Sequence, residues 1–315
     1  MDIAPNFAVL DLGTNTFHLL IARPQAGTPF ETVLEEKRYV FLAEEGIARI
    51  GEGARNRARK ALHEYAALLD EHKVDRGRVR ISGTAALRTA SNGPQLQAEA
   101  KGIIGAAVQI ISGKEEARLI HLGVSAALYP MQERALIMDI GGGSTEFILS
   151  DGRSGALWAE SFPIGAAVLF REFHHTEPIE PAQTAALRAH LQATLQPLKR
   201  ALKAHPCTVL VGASGAFEVV GSVLGSEAAA YRAARLPIAQ FPEFARKIAG
   251  MTAEERQQQM PDIPAQRAQL MTVAFLLIGM VMEMAGTNAL FVAAYGLKEG
   301  MMQELISEGR QASSM

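Results

Sequence analysis

Hydrophobic positions along the chain switch period repeatedly, from short continuous runs of strand length to a three-and-four spacing over longer stretches, and that alternation predicts a mixed α/β protein. Phe7 to Ile21, FAVLDLGTNTFHLLI, reads as strand, tight turn, strand. Phe30 to Leu42 mixes β-branched and aromatic residues with charges and predicts a third antiparallel strand. Ala54 to Lys73 then carries Ala58, Leu62, Tyr65, Leu68 and Leu69 at helical spacing. Val79 to Ser82 is a short strand running into a turn that ends at Arg88. Gln95 to Ile104 predicts a helix, Val108 to Ile111 a strand and Gly113 to Leu128 a helix.

The same order then begins again. Ala135 to Ser150, ALIMDIGGGSTEFILS, predicts a second hairpin, and Gly155 to Phe162 its third strand. Helices are predicted over Ala166 to Phe173 and Pro181 to Ala204. Thr208 to Val211 is a strand, turned by Gly212-Ala213-Ser214-Gly215 into a helix from Ala216 to Leu224. Pro242 to Gly250, Ala253 to Gln259 and the apolar Leu270 to Ala285 predict further helices. Asn288 to Ala293 is a strand, and Gly296 opens a final helix. Three antiparallel strands followed by alternating helices and strands is the order of a ribonuclease H-like half. Asp11 and Asp139 stand 139 − 11 = 128 positions apart, a period that points to a duplicated domain rather than to a solenoid of short repeats. Two domains are therefore expected, 1–115 with the C-terminal helix 296–315, and 116–295. The helix after Gly113 bridges them, and a cleft separates them.

The two hairpins carry the candidate chemistry. Gly141, Gly142 and Gly143 can take backbone angles closed to other residues, so their turn can aim N–H groups at one point and admit a bulky anion. Ser144 and Thr145 add hydroxyl donors. Asp139 and Glu146 flank the turn as hard oxygen ligands suited to Mg²⁺, which needs only one or two protein carboxylates beside phosphate oxygens. The N-terminal turn repeats the plan with Gly13, Thr14 and Asn15, and with Asp11 in the place of Asp139. Asp11 thus joins the candidate metal ligands. Two such turns could clamp a polyphosphate from both sides.

Composition narrows the partners. With 315 residues, 48% hydrophobic and 20% charged, the chain has the make-up of a soluble globular protein with room for two cores. A formal net charge of −2 argues against a nucleic-acid polymer as partner. One cysteine, Cys207, excludes an internal disulfide and a cysteine metal cluster, and reads as core or inert surface in a reducing, cytoplasmic setting. The opening MDIAPNFAVL carries no basic leader. Leu270 to Ala285 is cut by Glu283 short of the roughly 20 apolar residues of a bilayer span, so it reads as a buried core helix, with a homodimer surface as the other use for its apolar side chains. His174-His175 reads as a solvated loop, and His18 as a packed or hydrogen-bonded residue.

Taken together, Asp11-Leu12-Gly13-Thr14-Asn15-Thr16-Phe17-His18, the Thr84 to Arg88 turn, Ile111-Ser112-Gly113-Lys114-Glu115-Glu116-Ala117-Arg118 and Asp139 to Glu146 resemble the exopolyphosphatase / guanosine pentaphosphate phosphohydrolase family, in its short two-domain form. The resemblance implies two actin-like ATPase domains with a phosphate-binding cleft. It implies a hydrolase that releases terminal orthophosphate from polyphosphate or guanosine pentaphosphate, with a preference for shorter chains. It also implies Glu116 as general base, Asp139 and Glu146 at the metal, and the N-terminal hairpin with Arg88 at phosphate. The chemistry agrees: hydrolysing a phosphoanhydride needs a cradle of donors, a cation against developing charge and an oriented water. Glu115 is the fallback base. Gly212, Ser214 and Gly215 fit either a nucleotide or phosphate contact or close packing. The alternatives are a sugar- or acetate-kinase-like phosphotransferase, in which an acceptor hydroxyl replaces water, and a non-catalytic polyphosphate or alarmone sensor.

Overall fold

The computed structural model describes residues 4–128, 133–153, 155–213, 215–225, 227–230, 232–263 and 265–312, so Ser214 lies outside the described residues. In chain order the first half contains β1 (Phe7–Leu12), β2 (Thr16–Arg23), β3 (Glu31–Tyr39), α1 (Glu52–Glu71), β4 (Val79–Gly83), α2 (Ala85–Thr89), α3 (Gly93–Ile104), β5 (Val108–Ile110) and α4 (Gly113–Ala127). The second contains β6 (Ala135–Ile140), β7 (Thr145–Ser150), β8 (Ala156–Phe162), α5 (Ala166–Phe173), α6 (Pro181–Thr194), α7 (Gln196–Ala204), β9 (Val209–Gly212) and α8 (Gly215–Leu224). It continues through β10 (Glu227–Ala230), β11 (Ala233–Leu236), α9 (Phe241–Ala249), α10 (Ala253–Gln259), α11 (Ala265–Ala285) and β12 (Ala289–Ala293), and α12 (Leu297–Ala312) closes the chain.

These elements group into two units, Met1–Ala126 with Tyr295–Met315, and Ala127–Ala294. The division at 126/127 differs from the expected one at 115/116, which falls inside α4. The reason is packing within the first unit: a Cβ on Gly123 of α4 would stand 2.1 Å from the Gly296 carbonyl oxygen, and one on Gly300 of α12 would stand 1.9 Å from that of Leu119. Only side-chain-free positions allow helices so close, and they tie α4 to α12.

Each unit holds one sheet. The first runs β3-β2-β1-β4-β5 and the second β10-β11-β12-β9-β6-β7-β8. Five consecutive strands of the second, read from its β8 edge as β8-β7-β6-β9-β12, reproduce the first, with β1/β2/β3 and β6/β7/β8 antiparallel and β1/β4 and β6/β9 parallel. The duplicated ribonuclease H-like order is thus present strand for strand. The hairpin β10–β11, which extends the second sheet beyond β12, was not predicted, because EAAA and AARL show no clear alternation of apolar and polar residues.

Two helices replace the single one expected over Pro181 to Ala204. Pro197 cannot donate to the carbonyl of Ala193 and its ring collides with it, so the chain breaks at Leu195 and Pro197 sits in the first turn of α7. The helix α11 is long and apolar enough to cross a bilayer, yet Val273, Ala274, Phe275, Leu277, Ile278 and Val281 are fully buried within its own unit. The apolar side chains weighed for a dimer surface therefore form the centre of a core that α5, α9 and α10 complete. Cys207 is buried in the same core, and burial pushes its thiol up, which makes it inert.

His174 is not solvated. It follows the last turn of α5, edge-on to Phe170 at 4.9 Å, with Nε2 3.4 Å from the Glu177 carboxylate. The fully enclosed Arg256 reaches the same carboxylate at 2.6 Å and the Met251 and Ala268 carbonyls at 2.6 and 3.1 Å. Burial lowers the proton affinity of His174, Glu177 opposes that and Arg256 adds to it. A histidine whose folded pKa lies below its unfolded value near 6.5 contributes stability above that pH and loses it as pH falls. The melting temperature should drop between pH 7.5 and 5.5, and His174→Gln should reduce that drop by roughly 2–4 °C, the shift that about 1 kcal/mol produces in a domain of this size. Thermal scans of both proteins at the two pH values check it.

Candidate active site

In the first unit the turn Gly13–Asn15 joins β1 to β2, and its Thr14 and Asn15 carbonyls are already bonded. The Asn15 carbonyl accepts from the Val40 and Phe41 amides at 2.9 and 3.1 Å, and that of Thr14 from Leu42 at 2.7 Å. In the second unit the turn Gly141–Ser144 closes on itself with Gly141 N–H donating to the Ser144 carbonyl at 2.9 Å. The Gly141 and Gly142 carbonyls accept from Ala166 and Ala167 at 2.9 and 3.0 Å, amides that have no partner inside α5 because they open it. In both units the donor is the segment immediately after the third strand.

Because a trans peptide sets its C=O and N–H in opposite directions, tying those carbonyls fixes the neighbouring amides. The Asn15 and Thr16 N–H groups point away from residues 40–42, and those of Gly142 and Gly143 away from α5. A turn held this way has its acceptors engaged and its donors directed away from them, the polarity an anion requires. Thr145, expected as a phosphate donor, instead gives its hydroxyl hydrogen to the Ile164 carbonyl at 3.0 Å, since a carbonyl can only accept. Its part is to hold the segment that leads into α5.

Direct cross-strand partners share a sheet face. The register places Asp139 opposite Glu146 and Glu146 opposite Ser161, with the Ser161 hydroxyl donating to the Glu146 carboxylate at 2.6 Å. The matching row in the first unit is Asp11, His18 and Lys37. One row carries two carboxylates and a hydroxyl; the other carries a carboxylate with an imidazole and an ammonium. Asp139 and Glu146 fit a hard divalent cation that keeps waters and takes phosphate oxygens. Among the described residues no group of three or more His, Cys, Asp or Glu forms a cage. Asp11, with Lys37 in its row, suits a cation less well.

Glu116 sits in the first turn of α4, which Ser112 opens by accepting from the Glu115 amide at 3.2 Å while its carbonyl accepts from the Glu116 amide at 2.9 Å. Only 7% of Glu116 is exposed. Its carboxylate lies 3.3 Å from Arg88 Nη1, and the same nitrogen donates to the Ile111 carbonyl at 2.7 Å. A buried carboxylate without a partner is costly, and Arg88 supplies one. Arg88, expected as a phosphate holder, thus also orients Glu116. Glu115 faces outward into a two-pronged pair with Arg118 at 2.7 and 2.8 Å, which holds its carboxyl below the usual range, and Arg118 reaches Glu304 at 2.6 Å. Of the two glutamates, Glu116 is the enclosed one.

A model of the Ppx/GppA phosphatase family matches residues 20–308. The chain belongs to this family. Among solved structures, an exopolyphosphatase from Cytophaga hutchinsonii superposes with a TM-score of 0.89 at 33% identity, over 96% of this chain and 98% of that one. A Ppx/GppA family member from Aquifex aeolicus gives 0.78 at 25%, over 98% and 99%. An exopolyphosphatase-like protein at 23% identity shares the fold, with a TM-score of 0.84 over 98% and 99%. The protein is accordingly a phosphoanhydride hydrolase of the Ppx/GppA family.

In this Ppx/GppA chain the glycines of the β9–α8 turn have packing reasons to be glycine. A Cβ on Gly212 would enter the Phe217 ring at 2.0 Å, and one on Gly215 would meet the Arg267 guanidinium at 1.5 Å. Gly165, by contrast, was missed in the sequence. A Cβ there would lie 2.4 Å from the Gly142 carbonyl, so its absence lets α5 approach the Gly141–Ser144 turn. The signal was a lone glycine between a third strand and a helix, at a position whose partner lies 23 residues back, 165 − 142 = 23. Gly165→Ala should push the turn aside and lower kcat/KM for phosphate release about 10²-fold, the scale of loss for small misplacements of a site. Steady-state kinetics on tripolyphosphate beside the melting temperature check it, and an unchanged kcat/KM would show that the turn tolerates displacement.

Proposed function

We propose that this Ppx/GppA protein releases terminal orthophosphate from inorganic polyphosphate, with guanosine pentaphosphate as a second substrate ending in the same bond. The observation that carries the reading is that each unit has a turn whose carbonyls are tied back, setting its amides away from the segment that binds them, and that the first unit also holds one enclosed glutamate paired with an arginine. The exopolyphosphatase relative supports polyphosphate as the substrate class.

The Asn15 amide with Thr14 in the first unit, and the Gly142 and Gly143 amides with Ser144 in the second, bind phosphate oxygens. Glu116 accepts the proton of the attacking water, and Arg88 holds the Glu116 carboxylate in place and offers positive charge to the phosphoryl oxygens as charge moves onto the leaving group. Asp139 and Glu146, the latter fixed by Ser161, would hold Mg²⁺. When bound, the ion neutralises phosphate charge and favours expulsion of the leaving phosphate.

Removing the base while keeping its shape separates catalysis from binding. Glu116→Gln should lower kcat for phosphate release from tripolyphosphate by about 10²–10⁴-fold, the usual contribution of general base catalysis, with KM changed far less. Chelating divalent cations should abolish turnover of the wild type. Phosphate release from tripolyphosphate, long polyphosphate and guanosine pentaphosphate gives the substrate order. Wild-type protein that binds these compounds without hydrolysing any would indicate a sensor, and release that needs an acceptor alcohol would indicate a phosphotransferase.

A further inference from the structure

The segment that ties back the N-terminal turn contains a residue in an unfavourable backbone state. Phe41 has φ = 47°, in the left-handed region that bulky residues avoid. That conformation keeps the Phe41 and Leu42 amides on one side of the segment, so that Leu42 reaches the Thr14 carbonyl while Val40 and Phe41 share that of Asn15. An extended residue at 41 would turn the Leu42 N–H to the other side, as successive residues of a strand do, and so release the Thr14 carbonyl, whose peptide plane carries the Asn15 N–H.

Neighbouring contacts hold the bend. Val40 and Leu42, on either side of it, are fully buried. The Phe41 ring stacks on Tyr39, centroids 5.8 Å apart and planes 11° from parallel. From α1, Arg57 Nε donates to the Val40 carbonyl at 3.0 Å, and its other end pairs with Glu44 just beyond the segment. A strained conformation persists only where its surroundings over-determine it, and such places cluster at functional sites.

We propose that Phe41 and Arg57 are positioning residues for phosphate binding: the left-handed bend at Phe41, anchored by Arg57, fixes the direction of the Asn15 amide. This rests on the reading of Gly13–Asn15 as a phosphate turn. Neither residue touches substrate. Their effect falls on affinity, because they set where the donor points before the anion arrives.

The test varies backbone preference at position 41 with the ring removed throughout. Phe41→Gly and Phe41→Asn accept the left-handed state, whereas Phe41→Ala and Phe41→Val resist it increasingly. Tripolyphosphate binding is measured by calorimetry in Mg²⁺-free buffer, and phosphate release separately with Mg²⁺. The expected order of both Kd and KM is Gly and Asn below Ala below Val, with Val about tenfold above Gly and kcat changing less. Arg57→Met should weaken binding in the same direction. Should Phe41→Val fail to fold, the Ala and Gly pair carries the comparison. Equal Kd across the Gly, Ala and Val proteins would overturn this inference while leaving wild-type hydrolysis untouched. The expected Kd order without any wild-type turnover would uphold it and remove hydrolysis instead.

Discussion

Peptide planarity is the constraint on which the site depends. A carbonyl that is bonded on one side of a turn obliges the next N–H to face the other side, and in this chain both glycine-bearing turns have their carbonyls bonded by a segment entering after the third strand of their sheet. Amides fixed in this way need no reorganisation when an anion arrives, which is the condition for a donor set to be worth more than water. The glycines matter through access: Gly165 lets the backbone of one segment rest against the backbone of the other.

The duplication explains why the arrangement occurs twice and the differences explain why the copies do different work. Both sheets place an aspartate one residue before the end of the first strand, opposite a residue of the second strand. In one copy that residue is His18, with Lys37 beyond it; in the other it is Glu146, with Ser161 beyond it. The second row concentrates negative charge where a divalent cation can use it, while the first balances its own. The enclosed Glu116 comes from neither row. It is placed by α4, whose position is set by glycine-mediated contact with α12, and its charge is kept in the interior by Arg88, since an unpaired carboxylate at that depth would cost several kcal/mol.

Both hairpins, the third strands, the strand order of each half and the first turn of α4 were legible in the sequence because each is written locally, in apolar runs ending on an aspartate and in glycine-rich punctuation. What was not legible is non-local. The bonds from residues 40–42 and 166–167 to the turns join positions more than 20 residues apart, and no spacing rule announces them. Thr145 looked like a phosphate ligand until its hydroxyl was seen at Ile164, and His174, read as solvated from its Pro- and Glu-containing loop, is enclosed by Phe170, Glu177 and Arg256. Pro197 was a break that the sequence did contain, overridden by the helical spacing around it. The β10–β11 hairpin had almost no pattern to read.

In each turn, the amides set by the tied-back carbonyls are the proposed phosphate donors. The most direct measurement is a titration of ¹⁵N-labelled Glu116→Gln protein with tripolyphosphate, following the backbone amides of Asn15, Gly142 and Gly143 by NMR. Large, saturable shifts at all three are the expected result. Saturation of the protein with tripolyphosphate while these amides stay where they were, or shifts in one turn only, would contradict it.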